Sequence, residues 1–238
     1  MKYNFIFFLI FCWINLSAQD STYYKYDKLI KKANIQNESG EFEKAIEIYD
    51  EAFKLIDFIP YHYYDAFALS IADSNYLKAN EYLIKGTLKG FDLTSWNSPE
   101  IELYNKSKFG SEYWKIRDSL LEIHFKSIDI EYYNTLKEMK KIDQSNIRRK
   151  GNKEMVNIDS LNFEKLILLS SMKGFPTFQK TGYGCNIAKL ILWHNNKVYP
   201  SSNQWKRIIP LMNKEIFNGR FEPNFFHEFE NKLKEMNH

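Results

Sequence analysis

An all-α fold of helical hairpins packed against a C-terminal helical domain is what this 238-residue chain predicts, and three observations carry that reading. A stretch of the first half repeats itself 34 residues later, from Gly40 to Ser74. Apolar residues recur at helical spacing from Tyr113 onward, and helix-starting and helix-stopping residues stand where that pattern begins and ends. With 44% hydrophobic and 17% aromatic residues, the chain has enough apolar material for one large or two small cores.

The chain begins as a leader. Met1 to Gln19 carries Lys2, an apolar run from Phe5 to Leu16, and Leu16-Ser17-Ala18 as a small-residue cleavage site, the pattern of a signal peptide spanning residues 1–18 and cut near Ala18. A helix of the apolar run reaches about 18 Å, short of the roughly 30 Å hydrocarbon core. An exported protein, periplasmic or secreted and with no transmembrane span in the mature chain, is therefore expected. Cys12 lies inside the apolar run and not at the cut, so lipid anchoring is not expected. Removal of the leader leaves Cys185 as the single thiol, which excludes an internal disulfide and a cysteine-based metal cluster. Formal charge is +3 before cleavage, spread over 33 basic and 30 acidic residues, unlike the concentrated basic face of a nucleic-acid binder.

Residues 19–121 are expected to hold the repeats and a capping segment. Gly40 to Ala52 aligns with Ser74 to Gly86, setting Phe42 against Tyr76, Ala45 against Ala79, Tyr49 against Leu83 and Ala52 against Gly86. Small residues let two helices approach, and the bulky residue four positions on fills the gap beside them. The pattern resembles the tetratricopeptide repeat, carried by Ala33, Phe42, Ala45, Tyr49 and Ala52 in one copy and by Tyr76, Ala79, Leu83 and Gly86 in the other. Phe67 stands where Ala33 stands in the first copy. Gly90 to Leu121, with Ser98-Pro99 as a helix start and Tyr104, Tyr113, Trp114 and Ile116 as apolar area, is expected to cover the end of the array. The resemblance implies a groove that takes a protein or peptide partner. The competing reading is a scaffold for the second half.

Residues 122–238 are expected to form a helical domain. Ile116, Leu120, Ile123, Ile128, Tyr132, Leu136 and Met139 predict one long helix or two collinear ones from Tyr113 to Arg149, with Gly151 as its stop. Asp159 fits an N-cap for a helix from Leu161 to Met172, which Gly174 and Pro176 end. Gly182 to Asn186 reads as a loop without the Lys-Ser or Lys-Thr of a phosphate-gripping motif. Ile187, Leu190, Ile191 and His194 form a helical stripe, while a hairpin turning at Asn195-Asn196 is the alternative. Two helices, near Ser202 to Asn218 and Pro223 to Met236, complete the chain.

Asp143-Gln144, Arg148, Asp159 with Asn162, Gly174-Phe175-Pro176, Gly184 and a helix ending in His194 resemble, in that order, the bacterial family known as domain of unknown function 6624, over roughly Tyr132 to the C-terminus. That family continues into an Asp-Arg pair and a Gln-x-Tyr-Gly-Thr segment, whereas here Glu230-Asn231 stands near the Asp-Arg position and the chain stops at His238. The resemblance thus implies a site altered from the family's.

Two functions follow. One is an exported helical-repeat binding or interaction protein. The alternative is a hydrolase-like enzyme with His194 as general base, Asp143 or Asp159 orienting it, and Arg148 or Arg149 stabilising an anion. Gln144, Asn162 and Gly184 are the candidate binding residues. No Gly-x-Ser-x-Gly or His-Glu-x-x-His motif is present, and His62, His124 and His227 fall at no ligand spacing from His194, so neither a metal nor a cofactor is expected.

Overall fold

The computed structural model describes residues 22–144 and 153–236. The expected leader, and the segment that carries Arg148, Arg149 and Gly151, lie outside the described residues. Every regular element among the described residues is a helix, as the sequence predicts. No helix among them is long and apolar enough to cross a membrane.

The chain divides into two compact units, one covering Ser21–Ile128 and one beginning at Asp129. The first holds α1 (22–38), α2 (Phe42–Leu55), α3 (Pro60–Ala72), α4 (Tyr76–Leu88), a 3₁₀ turn (Leu93–Ser95), α5 (Pro99–Asn105) and α6 (Lys108–Ser127). The repeated residues have repeated conformations. Gly40 and Ser74, equivalent under the 34-residue offset, both take a left-handed backbone, with φ of 75° and 60°. Ala33, Ala45, Ala52 and Ala79 are fully buried. Gly86 is tighter still: a Cβ there would come within 2.9 Å of the Tyr63 Cβ on α3. The small residue therefore admits the preceding helix of its own hairpin. Tyr82, fully buried on α4, donates its hydroxyl hydrogen to Asp50 Oδ1 on α2 at 2.9 Å, tying the two equivalent helices together. Tyr104 and Tyr113 from the capping segment are buried, and hydroxyl bonds join them to Asn80 (2.6 Å) and Thr87 (2.9 Å) of α4.

The second unit holds α7 (Ile130–Asp143), α8 (Lys153–Lys173), α9 (Phe178–Thr181), α10 (Gly184–His194), a 3₁₀ turn (Asn196–Val198), α11 (Asn203–Phe217) and α12 (Phe225–Met236). Its core gathers Phe163 and Leu166 of α8, Ile191 and Leu192 of α10, and Trp205, Ile208 and Met212 of α11. Cys185 is buried with them, and burial pushes its thiol up to about 12.

Of the two readings from Tyr113 to Arg149, one long helix or two, two helices are observed as far as residue 144: the chain breaks at Ile128, which is extended, because the Asp129 carboxylate accepts the Tyr132 N–H at 2.9 Å and starts a new helix. Three local expectations change. The boundary between units accordingly follows Ile128 and not residue 121. Asp159 is no N-cap, since α8 begins six residues earlier and carries it in its interior. Within Gly182 to Asn186 only the first two residues are non-helical, and α10 starts at Gly184. Of the two readings for 187–199 the helix is the one observed, followed by a short 3₁₀ turn at Asn196–Val198.

Candidate active site

Three helices of the second unit bring together residues that are far apart in the chain. Asp143 is the last residue of α7, Asp159 sits two turns into α8, and His194 closes α10. The ring nitrogen Nδ1 of His194 lies 2.9 Å from Asp143 Oδ1 and 3.8 Å from Asp159 Oδ1. The Asp143 side chain is 1% exposed, that of Asp159 10% and that of His194 15%, so Asp143 is sealed in and the imidazole is the most open of the three. On the other side of Asp143, the Gln144 amide donates to Oδ2.

Neighbouring amides hold the backbone of this arrangement. Asn162 Nδ2 donates to the Met139 carbonyl oxygen at 3.4 Å, joining α8 to α7 one turn before Asp143. Asn195 Nδ2 donates to the carbonyls of Asp159 (3.2 Å) and Ile191 (2.9 Å), joining α10 to α8 beside His194. Asn195 in turn offers its own carbonyl to the indole of the buried Trp205 at 3.0 Å. The site is thus braced against the core by buried side chains, the condition for holding catalytic groups to sub-ångström geometry.

Of the residues named from sequence, Asp143, Asp159 and His194 converge, and Gln144 touches Asp143. Asn162 lies within the same helix contacts as a brace. Gly184 serves packing: a Cβ there would meet Leu136 Cδ1 and Thr181 Cβ at 3.0 Å, so its missing side chain lets α10 start against α7. Arg148 lies outside the described residues. Asn195 was missed because Asn195-Asn196 reads as a turn, and its position directly after His194 was the one signal available.

The cluster supports two kinds of chemistry. With Nδ1–H donated to Asp143, the neutral imidazole presents Nε2 as a proton acceptor, and the carboxylate favours the imidazolium that forms. Alternatively, one atom from each of Asp143, Asp159 and His194 can serve as a ligand, these atoms lying within 4.8 Å of one another. Two carboxylate oxygens and one imidazole nitrogen suit a divalent ion of intermediate hardness, with water completing its shell.

The first unit carries its own groove, of about 490 Å³, between α2 and α4. Three of its lysines meet acids of the same groove: Lys78 pairs with Asp50 at 2.8 Å, Lys85 with Glu81 at 2.6 Å, and Lys89 with Asp57 at 2.6 Å.

No protein-family model, no curated protein and no solved structure matches this chain.

Proposed function

We propose that the second unit performs hydrolase-like acid–base chemistry, with His194 as general base and Asp143 as the residue that orients it. The observation that carries this reading is the 2.9 Å contact between His194 and Asp143, side chains 51 positions apart. An Asp–His pair of this kind costs a fold two buried polar groups, which a purely structural role could replace with apolar packing. In the proposed cycle, Nε2 removes a proton from water or a substrate hydroxyl as it attacks an electrophilic centre, then returns it to the leaving group. Asp159 adds negative charge beside the imidazolium. Arg148 is the expected partner for the developing anion.

The first unit is read as a tetratricopeptide-like module that takes a protein or peptide partner, and the second as a relative of the domain of unknown function 6624. What supports the former is the match of buried small residues and left-handed turns at the 34-residue period. The leader-like start supports export, so both units would work outside the cytoplasm.

A second reading, a divalent metal centre, is favoured by the mutual proximity of three ligand atoms. One experiment addresses both. The mature chain, its His194→Gln and Asp143→Asn variants, and an Asp159→Asn control are assayed on ester, amide and phosphoester reporters alongside elemental analysis of the purified proteins. Acid–base action predicts turnover that survives chelation and falls about 10²- to 10⁴-fold in the first two variants with unchanged melting curves. A stoichiometric metal lost in Asp159→Asn, with activity abolished by chelation, selects the metal reading. Turnover indifferent to His194→Gln overturns both.

A further inference from the structure

The second unit also contains a groove of about 480 Å³. Two helix faces build it. From α7 and the residue that caps its C-terminus come Lys137, Lys140, Lys141 and Gln144, at relative positions zero, three, four and seven, and from α10 and the residue that precedes it come Tyr183, Asn186, Ile187 and Leu190 at the same spacing. Residues three and four apart lie above one another on a helix, so each set forms one stripe. Their chemistry is segregated: α7 supplies three ammonium groups and α10 an apolar base. The Tyr133 ring completes the α7 side, with the Lys137 ammonium 5.4 Å from its centroid.

No carboxylate lines this groove among the described residues. The nearest acid on the stripe's flank, Glu138, reaches Lys141 only at 3.8 Å from an exposed position. The contrast with the first unit's groove, which is lined by Asp50, Asp57 and Glu81 and where Lys78, Lys85 and Lys89 meet those acids, is the physical point: three like charges within two helical turns create a positive potential over an apolar floor. The groove also has a direction. At one end, Gln144 both lines it and holds Asp143, and Leu190 lies one turn before His194.

We propose that this groove binds the anionic end of the substrate, and that the substrate class is a small organic anion, a carboxylate or phosphate ester with an apolar or aromatic body. The proposal rests on the acid–base reading of Asp143 and His194, because it lays the ligand beside that pair. The lysines attract the charged group and the Ile187 and Leu190 side chains cover the body. Apolar walls exclude water from one side of the ion contacts and so strengthen them relative to an open surface.

The test is direct binding, independent of turnover. The whole mature chain is titrated with phenyl phosphate, phenylacetate and benzyl alcohol and followed by amide chemical shifts. At least one anion is expected to saturate, with shifts centred on α7 and α10, while the neutral alcohol does not. Whichever anion binds identifies the phosphate or the carboxylate arm. Lys137→Gln with Lys140→Gln should weaken binding roughly tenfold, the scale of two partly solvated ion contacts, and added salt should weaken it in the wild type. Lys206→Gln, a change at an exposed lysine of α11 that does not line the groove, should bind as the wild type does. Saturation by neither anion, equal binding of benzyl alcohol, or a double variant that melts and binds like the wild type overturns the groove proposal. Turnover unaffected by His194→Gln, with anion binding intact, overturns the acid–base reading and leaves the groove as a binding site.

Discussion

At His62 a single side chain carries a pH dependence of the first unit. The Tyr26 hydroxyl meets its Nδ1 at 2.5 Å, and burial pushes the imidazole down to about 4, an effect the charge of Asp27 opposes without reversing. In the unfolded chain the same ring titrates near its ordinary value of 6.5. The unfolded state therefore binds more protons between these values, so stability from this residue is intact above 6.5 and drains away as the pH falls towards 4. Burial pushes the Asp65 carboxyl of the same unit up to about 6, so Asp65 gains stability over the same fall in pH and opposes His62; the decline should therefore appear as the difference between the unaltered chain and His62→Gln in urea unfolding followed from pH 7 to pH 4. Residue roles were legible in the sequence to different depths. Asp143 and His194 announce chemistry by type, and their role as a pair follows once they touch. Asp159 precedes Ser160 and Leu161 in a way that imitates a helix start, and only the earlier beginning of α8 turns its carboxylate into a neighbour of His194. The lysines of α7 stand in the sequence at positions 137, 140 and 141, yet a run of lysines has meaning only when the facing helix brings no acid to meet it.

Among the elements, the start of α7 has the greatest reach, because α7 ends in Asp143. Its cap is Asp129, whose carboxylate also accepts from the Lys173 ammonium of α8 at 3.0 Å. Partial burial opposes ionisation of Asp129, but the Tyr132 N–H and the Lys173 charge outweigh it and hold the carboxyl below its ordinary range. Asp129→Ala should lower unfolding free energy by about 1 kcal/mol, the usual cost of a lost cap, when measured by urea denaturation at neutral pH. Two helix ends were read correctly from sequence. Ser98 accepts the Ile101 N–H ahead of Pro99, and Gly174, with φ of 82°, ends α8. The break at Ile128 was hidden because apolar residues continue at helical spacing across it, and periodicity cannot register an extended residue that keeps the stripe in phase. The four residues of α9 are too few for any period to appear.

For the whole molecule, two units with separate cores imply two cooperative transitions. Calorimetry of the mature chain should resolve them, with Gly86→Ala shifting one and Asp129→Ala the other. The Gly86 change brings a Cβ to within 2.9 Å of the Tyr63 Cβ, where neither atom can swing aside; the gain in helix propensity of about 1 kcal/mol is met by an overpacking cost of about 1–3 kcal/mol. A single merged transition, or both variants acting on the same one, would count against independent units. The all-α class was legible from the repeat and the helical spacing, since both are local properties. Convergence of Asp143, Asp159 and His194 was not, because it depends on how three helices cross.

Cys185 gives the second unit a built-in clock. Within residues 19–238 it is the only sulfhydryl, and it lies in a core that keeps it protonated and out of reach. An alkylating reagent can therefore mark the molecule only while the second unit is open, so the rate of label uptake counts openings of the unit that holds the candidate site and ignores those of the other. Ligands that seat beside α7 and α10 should slow that count in proportion to their occupancy, which makes the thiol a reporter for screening compounds before any reaction is known.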